Sequence, residues 1–222
     1  MRFVYPDINK VFDTEDDYVN ELVIENSRLL YALLLDIKQQ IKGGEGRAVL
    51  SIDDKVQPMS KFAELLLDFF PFEINTRLLL NKASAALERS ILQGEQYQRS
   101  LELLNEIEKF LIDSSFPFNC DVNFSNITLA SLIKACGLSF AEDHDSLCEK
   151  IIDYMELVRE FDKNKLFITY NLRCIVSDNE MNKFLDTILA HGYHLIMIES
   201  SLHSMLSKEK RYIVDANHCE IC

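Results

Sequence analysis

The chain has 222 residues, 48% hydrophobic and 27% charged, enough for one domain of ordinary size with a smaller appendage. Its longest uninterrupted apolar run, Leu29 to Leu35, ends at Asp36. That is far short of the roughly 20 residues a spanning helix needs; with no secretory signal visible, a cytoplasmic protein with no membrane partner is expected. The formal charge of −13, from 36 acidic and 23 basic residues, taken alone argues against nucleic-acid binding, because phosphate repels a net anion.

The charge is nevertheless segregated. Residues 13 to 25 hold six carboxylates and no Lys or Arg, whereas residues 28 to 61 hold six basic against four acidic residues. Smaller basic excesses recur at 163 to 183 and 208 to 211. Solvated faces are the ordinary reading of such clusters. Six cysteines scattered through a chain of this size are no disulfide framework and read as reduced, small buried hydrophobes.

Taken in chain order, Val19 to Glu25 reads as a strand, followed by a helix that Asn26 or Ser27 caps and that carries the stripe Leu29, Leu30, Leu33, Leu34, Ile37. Gly43-Gly44-Glu45-Gly46 should stop it, and Arg47 to Ile52 form a second strand. The run Phe62 to Phe70 predicts a helical turn leading into a strand near Leu65 to Phe69. From Ile74 to Asp113, apolar spacings of three and four predict two long amphipathic helices hinged near Gly94. Further helices are expected over 127 to 136, ended by Gly137, and over 146 to 160. The last part alternates: a strand from Lys165 to Tyr170, a helix opened by the capping box Ser177-Asp-Asn-Glu180, and strands His194 to Glu199 and Tyr212 to Val214. Continuous apolar strands in βαβ order predict a mostly parallel sheet covered on both faces. The expected architecture is an α/β head made from residues 1–73 and 161–222, with residues 74–160 inserted as an α-helical leg.

No catalytic set stands out. Gly43 to Arg47 lacks the Lys-Ser/Thr of a phosphate loop and follows a helix instead of preceding one. His191 and His194 with His218, Cys219 and Cys222 are zinc-type ligands, but one group sits on the last residues of the chain, where fraying is common. A helix-end pair and a frayed tail is the expected reading. His144 and Cys148 share a helical face, which for a nucleophile would need an activating partner. An acidic helix start explains them without chemistry.

Several segments, in order, carry a likeness to a known family: Leu22-Val-Ile-Glu25, Leu67-Asp-Phe-Phe-Pro-Phe-Glu-Ile-Asn75, Ile127-Thr-Leu-Ala-Ser-Leu-Ile-Lys-Ala-Cys-Gly137, Phe161-Asp-Lys-Asn-Lys-Leu-Phe-Ile168 and Leu195-Ile-Met-Ile-Glu199. In these the chain resembles the type II-A CRISPR-associated adaptation proteins of the Csn-two family. The resemblance implies a P-loop-hydrolase-like head that has lost its phosphate loop, an α-helical leg, and a homotetrameric ring. It also implies threading of linear double-stranded DNA without sequence preference, no catalysis and no nucleotide, and action with the integrase complex and the RNA-guided nuclease during spacer acquisition. A closed ring can gather lysines on its inner wall while acidic residues face outward. Lys134, Lys163 and Lys165, from the matching segments, and Arg173, from its place near a strand end, are the expected DNA contacts. Calcium is implied as well, held just before the Ile-Thr-Leu segment. There Asp121, with Asn119 and Asn123 nearby, stands where the family has several carboxylates, fewer oxygens than a hard cation wants. The alternative function is a protein-interaction module with an unused head, helices 74 to 113 pairing with a partner; a hydrolase using His144 and Cys148 ranks last.

Overall fold

The structure, a computed structural model, describes residues 1–120 and 122–221. In chain order the elements are β1 (Arg2–Val4), β2 (Val11–Asp13), β3 (Val19–Ile24), α1 (Ser27–Ile41), β4 (Val49–Ile52), β5 (Lys55–Gln57), the short α2 (Met59–Phe62) and β6 (Ala63–Leu66). Then follow α3 (Arg77–Gln93), α4 (Tyr97–Ser115), α5 (Leu129–Cys136), α6 (Leu147–Phe161), β7 (Leu166–Tyr170), a single 3-10 turn (Leu172–Cys174), α7 (Asp178–Ala190), β8 (His194–Glu199), β9 (Glu209–Val214) and β10 (Glu220–Ile221). They form two compact units, Met1–Phe72 with Asp143–Cys222, and Glu73–Glu142.

The first unit holds two sheets. The larger runs β10-β9-β3-β8-β7-β6, with β9, β3, β8, β7 and β6 parallel and β10 antiparallel at one edge. Every residue of β3 is buried, as expected of a strand covered on both faces. Alternation sends Leu22 and Ile24 of β3 and Ile196 and Ile198 of β8 into a core shared with Leu29, Leu30, Leu33 and Ile37 of α1. Glu21 and Val23, with Met197 and Glu199, therefore take the opposite face, where α7 packs against β3 and α6.

The smaller sheet, β2-β1-β4-β5, is antiparallel throughout and was not expected. Its β1, β2 and β5 strands are three residues each, too short to show a period. The turn joining β4 to β5 is Asp53-Asp54, both at positive φ. That is the geometry of a two-residue hairpin turn, which sequence normally announces with Asn-Gly or Asp-Gly. Phe3, Phe12 and Leu50 place this sheet on the same core as α1.

Local signals account for the remaining ends. Asn26 Oδ1 accepts from Leu29 N–H at 3.0 Å and opens α1. Gly43, at φ +88, closes it. The loop then folds back: Asp36 accepts from the N–H groups of Arg47 at 2.7 Å and Ala48 at 2.9 Å. A Cβ on Gly46 would stand 2.5 Å from the Gln40 side chain and 2.7 Å from the Asp36 carboxylate, so any other residue there would displace the groups that hold this loop. The strand expected near Leu65 to Phe69 begins earlier, at Ala63, because α2 already occupies the Met59–Phe62 turn.

The unit Glu73–Glu142 contains α3, α4 and α5. Thr76 caps α3 and a Thr128–Ser131 capping box opens α5. Helix α6, expected in the leg, belongs to the head. Its buried Ile151, Tyr154, Met155 and Val158 and its packing on α7 explain why a helical period alone misassigned it. The cysteines also differ from expectation. Among the described residues Cys148 is buried, whereas Cys120, Cys136, Cys174 and Cys219 are exposed.

Candidate functional site

Of the four expected DNA contacts, two are free to meet phosphate. Lys134, in the last turn of α5, and Lys163, between α6 and β7, are exposed. Neither has an ion-pair partner among the described residues. Lys165 is a correction. Its side chain is buried, and Nζ donates to the Lys61 carbonyl at 2.9 Å and to Asp162 at 3.4 Å, with Glu64 at 3.9 Å. Glu64 in turn accepts from the Tyr154 hydroxyl at 2.6 Å. A strand-start lysine here ties β6, β7 and α6 together.

Arg173 is the second correction and leads to the most unusual chemistry in the head. Its guanidinium is fully buried. Nη1 meets Glu209 at 2.7 Å and Glu21 at 3.4 Å, and Nη2 meets Asp178 at 3.0 Å and the Ser204 carbonyl at 2.8 Å. Arg211 pairs with the same two glutamates through Nε to Glu21 and Nη2 to Glu209. Two arginines thus clamp two glutamates in the parallel sheet. A charge so enclosed cannot reach a duplex.

A third glutamate, Glu199 at the end of β8, has no guanidinium partner in this cluster. Its side chain is wholly buried; Oε1 accepts the Arg173 backbone N–H at 3.2 Å, and Oε2 has no hydrogen-bond donor among the described residues. Burial pushes its carboxyl up to about 7, with the Glu21 charge adding to the rise. His203 Nε2 lies 3.7 Å from Oε2 and 3.7 Å from Cys174 Sγ. Burial, reinforced by Arg173 and Arg211, holds the His203 imidazole below its usual value. Sequence reasoning passed over these residues, although two glutamates inside strands read as buried were a signal available in Glu21 and Glu199.

The other candidates are dispersed. His144 Nε2 contacts Asp153 at 2.9 Å, and burial pushes the Cys148 thiol up to about 12, leaving it a poor nucleophile at neutral pH. His191 stacks on Tyr193, His194 Nδ1 contacts the Thr14 hydroxyl at 2.9 Å, and His218 sits in a turn at φ +65. Cys219 is exposed, and Cys222 lies outside the described residues. Asn119 is exposed, and Asp121 lies outside the described residues. Between Ser114 and Asn126 the described residues offer no carboxylate, and Asp121, the one carboxylate of that stretch, lies outside them.

In the helical unit, Leu87, Ile91, Leu103, Leu132, Ile133 and Leu138 line an open apolar cleft of about 420 Å³. No helix among the described residues is long and apolar enough to cross a membrane.

The fold and site define a mixed α/β protein with a mostly parallel sheet, a second antiparallel sheet and a separate helical unit. A family profile described as CRISPR-associated protein (Cas_Csn2) matches residues 40–218, and the chain belongs to that family. Its relatives include the CRISPR-associated protein Csn2 of Enterococcus faecalis, 21% identical over 176 residues, covering 78% of this chain and 79% of the relative. A Streptococcus agalactiae protein of the same name is 22% identical over 178 residues, covering 76% of each chain.

Proposed function

We propose that this chain is a non-catalytic, sequence-independent binder of double-stranded DNA ends, working as a homotetrameric ring in the cytoplasm during spacer acquisition. Its partners in that step are the CRISPR integrase complex and the RNA-guided nuclease. The observation that carries the reading is membership of the Csn2 family across residues 40–218. Sequence-independent binding needs phosphate contacts alone, and exposed Lys134 and Lys163 suit that role. The head is read as a nucleotide-hydrolase-like sheet without a phosphate loop. The link from β3 to α1 is Glu25-Asn26, too short to cradle phosphates and without glycine. Burial that pushes the Cys148 thiol up to about 12 argues against a thiolate nucleophile at that residue. No step is routed through calcium.

Light scattering coupled to size exclusion, followed by a shift assay of linear against circular duplex at two salt concentrations, tests this. A tetramer that loads only onto DNA with free ends is expected. A monomer or dimer indifferent to both DNAs would overturn the reading. It would favour a protein-interaction module instead, which the apolar cleft between α3, α4 and α5 supports.

A further inference from the structure

We propose that Cys174, Glu199 and His203 form a binding site for a divalent transition metal of the zinc class. The three residues come from the carboxyl ends of neighbouring parallel strands. Cys174 closes the turn after β7, Glu199 ends β8, and His203 lies in the loop between β8 and β9. Open α/β sheets place their ligands outside these strand ends.

Three features point to a cation. The ligand atoms of all three residues lie within 4.8 Å of one another, and no other group of three such side chains occurs among the described residues. Zinc–sulfur and zinc–nitrogen bonds of about 2.3 and 2.0 Å at a tetrahedral angle put sulfur and nitrogen about 3.5 Å apart. Cys174 Sγ and His203 Nε2 stand at 3.7 Å, and His203 Nε2 and Glu199 Oε2 at 3.7 Å. Small side-chain rotations would bring the three to bonding distance.

Charge pairing supplies the second feature. Glu21 and Glu209 are each bonded to both Arg173 and Arg211, and Asp178 is bonded to Arg173. Among the described carboxylates of this cluster, Glu199 alone has no guanidinium pair; it is fully buried, with Oε2 lacking a hydrogen-bond partner and aimed at the His203 ring. A buried carboxylate oxygen without a donor is costly. A metal ion would satisfy it.

The third feature is convergence on one atom. Cys174 Sγ, Glu199 Oε2 and Ser201 Oγ all approach His203 Nε2, the hydroxyl at 3.4 Å. A single proton on that nitrogen serves one of them, whereas a metal serves all, with Ser201 or water in the fourth position. The two loops are held together in advance. Asn171, at φ +53, accepts from Ser200 N–H at 2.8 Å and donates its own N–H to the Ile198 carbonyl at 2.9 Å.

Full-length, tag-free protein dialysed against chelator and then titrated with zinc by calorimetry should bind one equivalent per chain and melt at higher temperature. Cobalt in place of zinc should give a thiolate-to-metal charge-transfer band that Cys174→Ser abolishes. Zinc at about ten times its Kd should slow alkylation of Cys174 in the unmutated protein about tenfold, since only the free thiolate reacts. Cys219→Ser should leave binding intact, whereas His203→Ala should remove it. Less than a tenth of an equivalent bound, unchanged alkylation of Cys174, or equal binding by His203→Ala would each overturn the site. Because the alkylation readout needs no variant, a misfolded mutant leaves the test decisive. None of these outcomes depends on DNA.

Discussion

The two units solve burial in opposite ways. The head encloses even some of its charges: Glu21, Glu199 and Glu209 lie in strands of the parallel sheet, and Arg173, in the turn after β7, is buried with them. The helical unit leaves apolar surface uncovered. Helix α4 is 19 residues long with Ser100 its sole buried residue among those described, and Leu101, Leu103, Phe110 and Ile112 are exposed. A unit of this kind draws little stability from its own packing, because area removed from water sets the hydrophobic contribution. The head therefore carries the folding stability, and the helices offer surface.

The contrast can be broken most forcefully at Arg173. Arg173→Ala strands Glu21 and Glu209 beside one remaining guanidinium, and removal of one partner from a buried ion pair costs about 3–5 kcal/mol. Urea denaturation followed by circular dichroism should register that loss; a change below about 1 kcal/mol would show the cluster to be well hydrated.

Next in size is the effect on duplex binding. Lys163→Glu should weaken it and lower the salt slope by about 0.9 for each phosphate no longer neutralised, with folding stability unchanged. Lys165→Met should do the reverse, destabilising the head through its contacts with Lys61, Asp162 and Glu64 while leaving the slope alone. Fluorescence anisotropy across a salt series, paired with denaturation, separates the two.

A smaller effect follows from His194, whose imidazole burial holds below its ordinary value of 6.5. The unfolded chain therefore takes up this proton first, so the His194 contribution to stability is lost as pH falls below about 6.5. His194→Asn should flatten that part of the profile. Melting both proteins between pH 7.5 and 5.5 checks it, and parallel curves would deny His194 the role.

The smallest change is expected in the helical unit. Phe110→Ser, at a residue 67% exposed, should alter stability by less than about 0.5 kcal/mol. If the oligomer or a partner covers α4, light scattering or partner capture would shift while the melting curve does not.

Most helices and the parallel strands were legible in the sequence because their signals are local. Asn26, Ser177 and Gly137 mark helix ends by satisfying or releasing backbone groups, and Leu195-Ile-Met-Ile is a buried strand by composition alone. The antiparallel sheet was not legible, since three-residue strands and an Asp53-Asp54 turn carry neither period nor glycine. The exposure of the basic residues was half legible. Basic side chains can be counted along a chain, but whether a lysine faces solvent, as Lys163 does, or is consumed inside, as Lys165 is, depends on elements far apart in sequence.

Local signals in the sequence were enough for the order of the main parallel strands and the long helices, for the caps at Asn26, Ser177 and Gly137, and, through the spacing of its segments, for the Csn2 likeness. Only the tertiary structure decided that α6 joins the head, that Arg173 is locked between Glu21, Glu209 and Asp178, and that Cys174, Glu199 and His203 meet. The physical reason is range: caps and periodicity act within a turn or two of backbone. Burial of a charge, by contrast, is settled by which distant strands close around it.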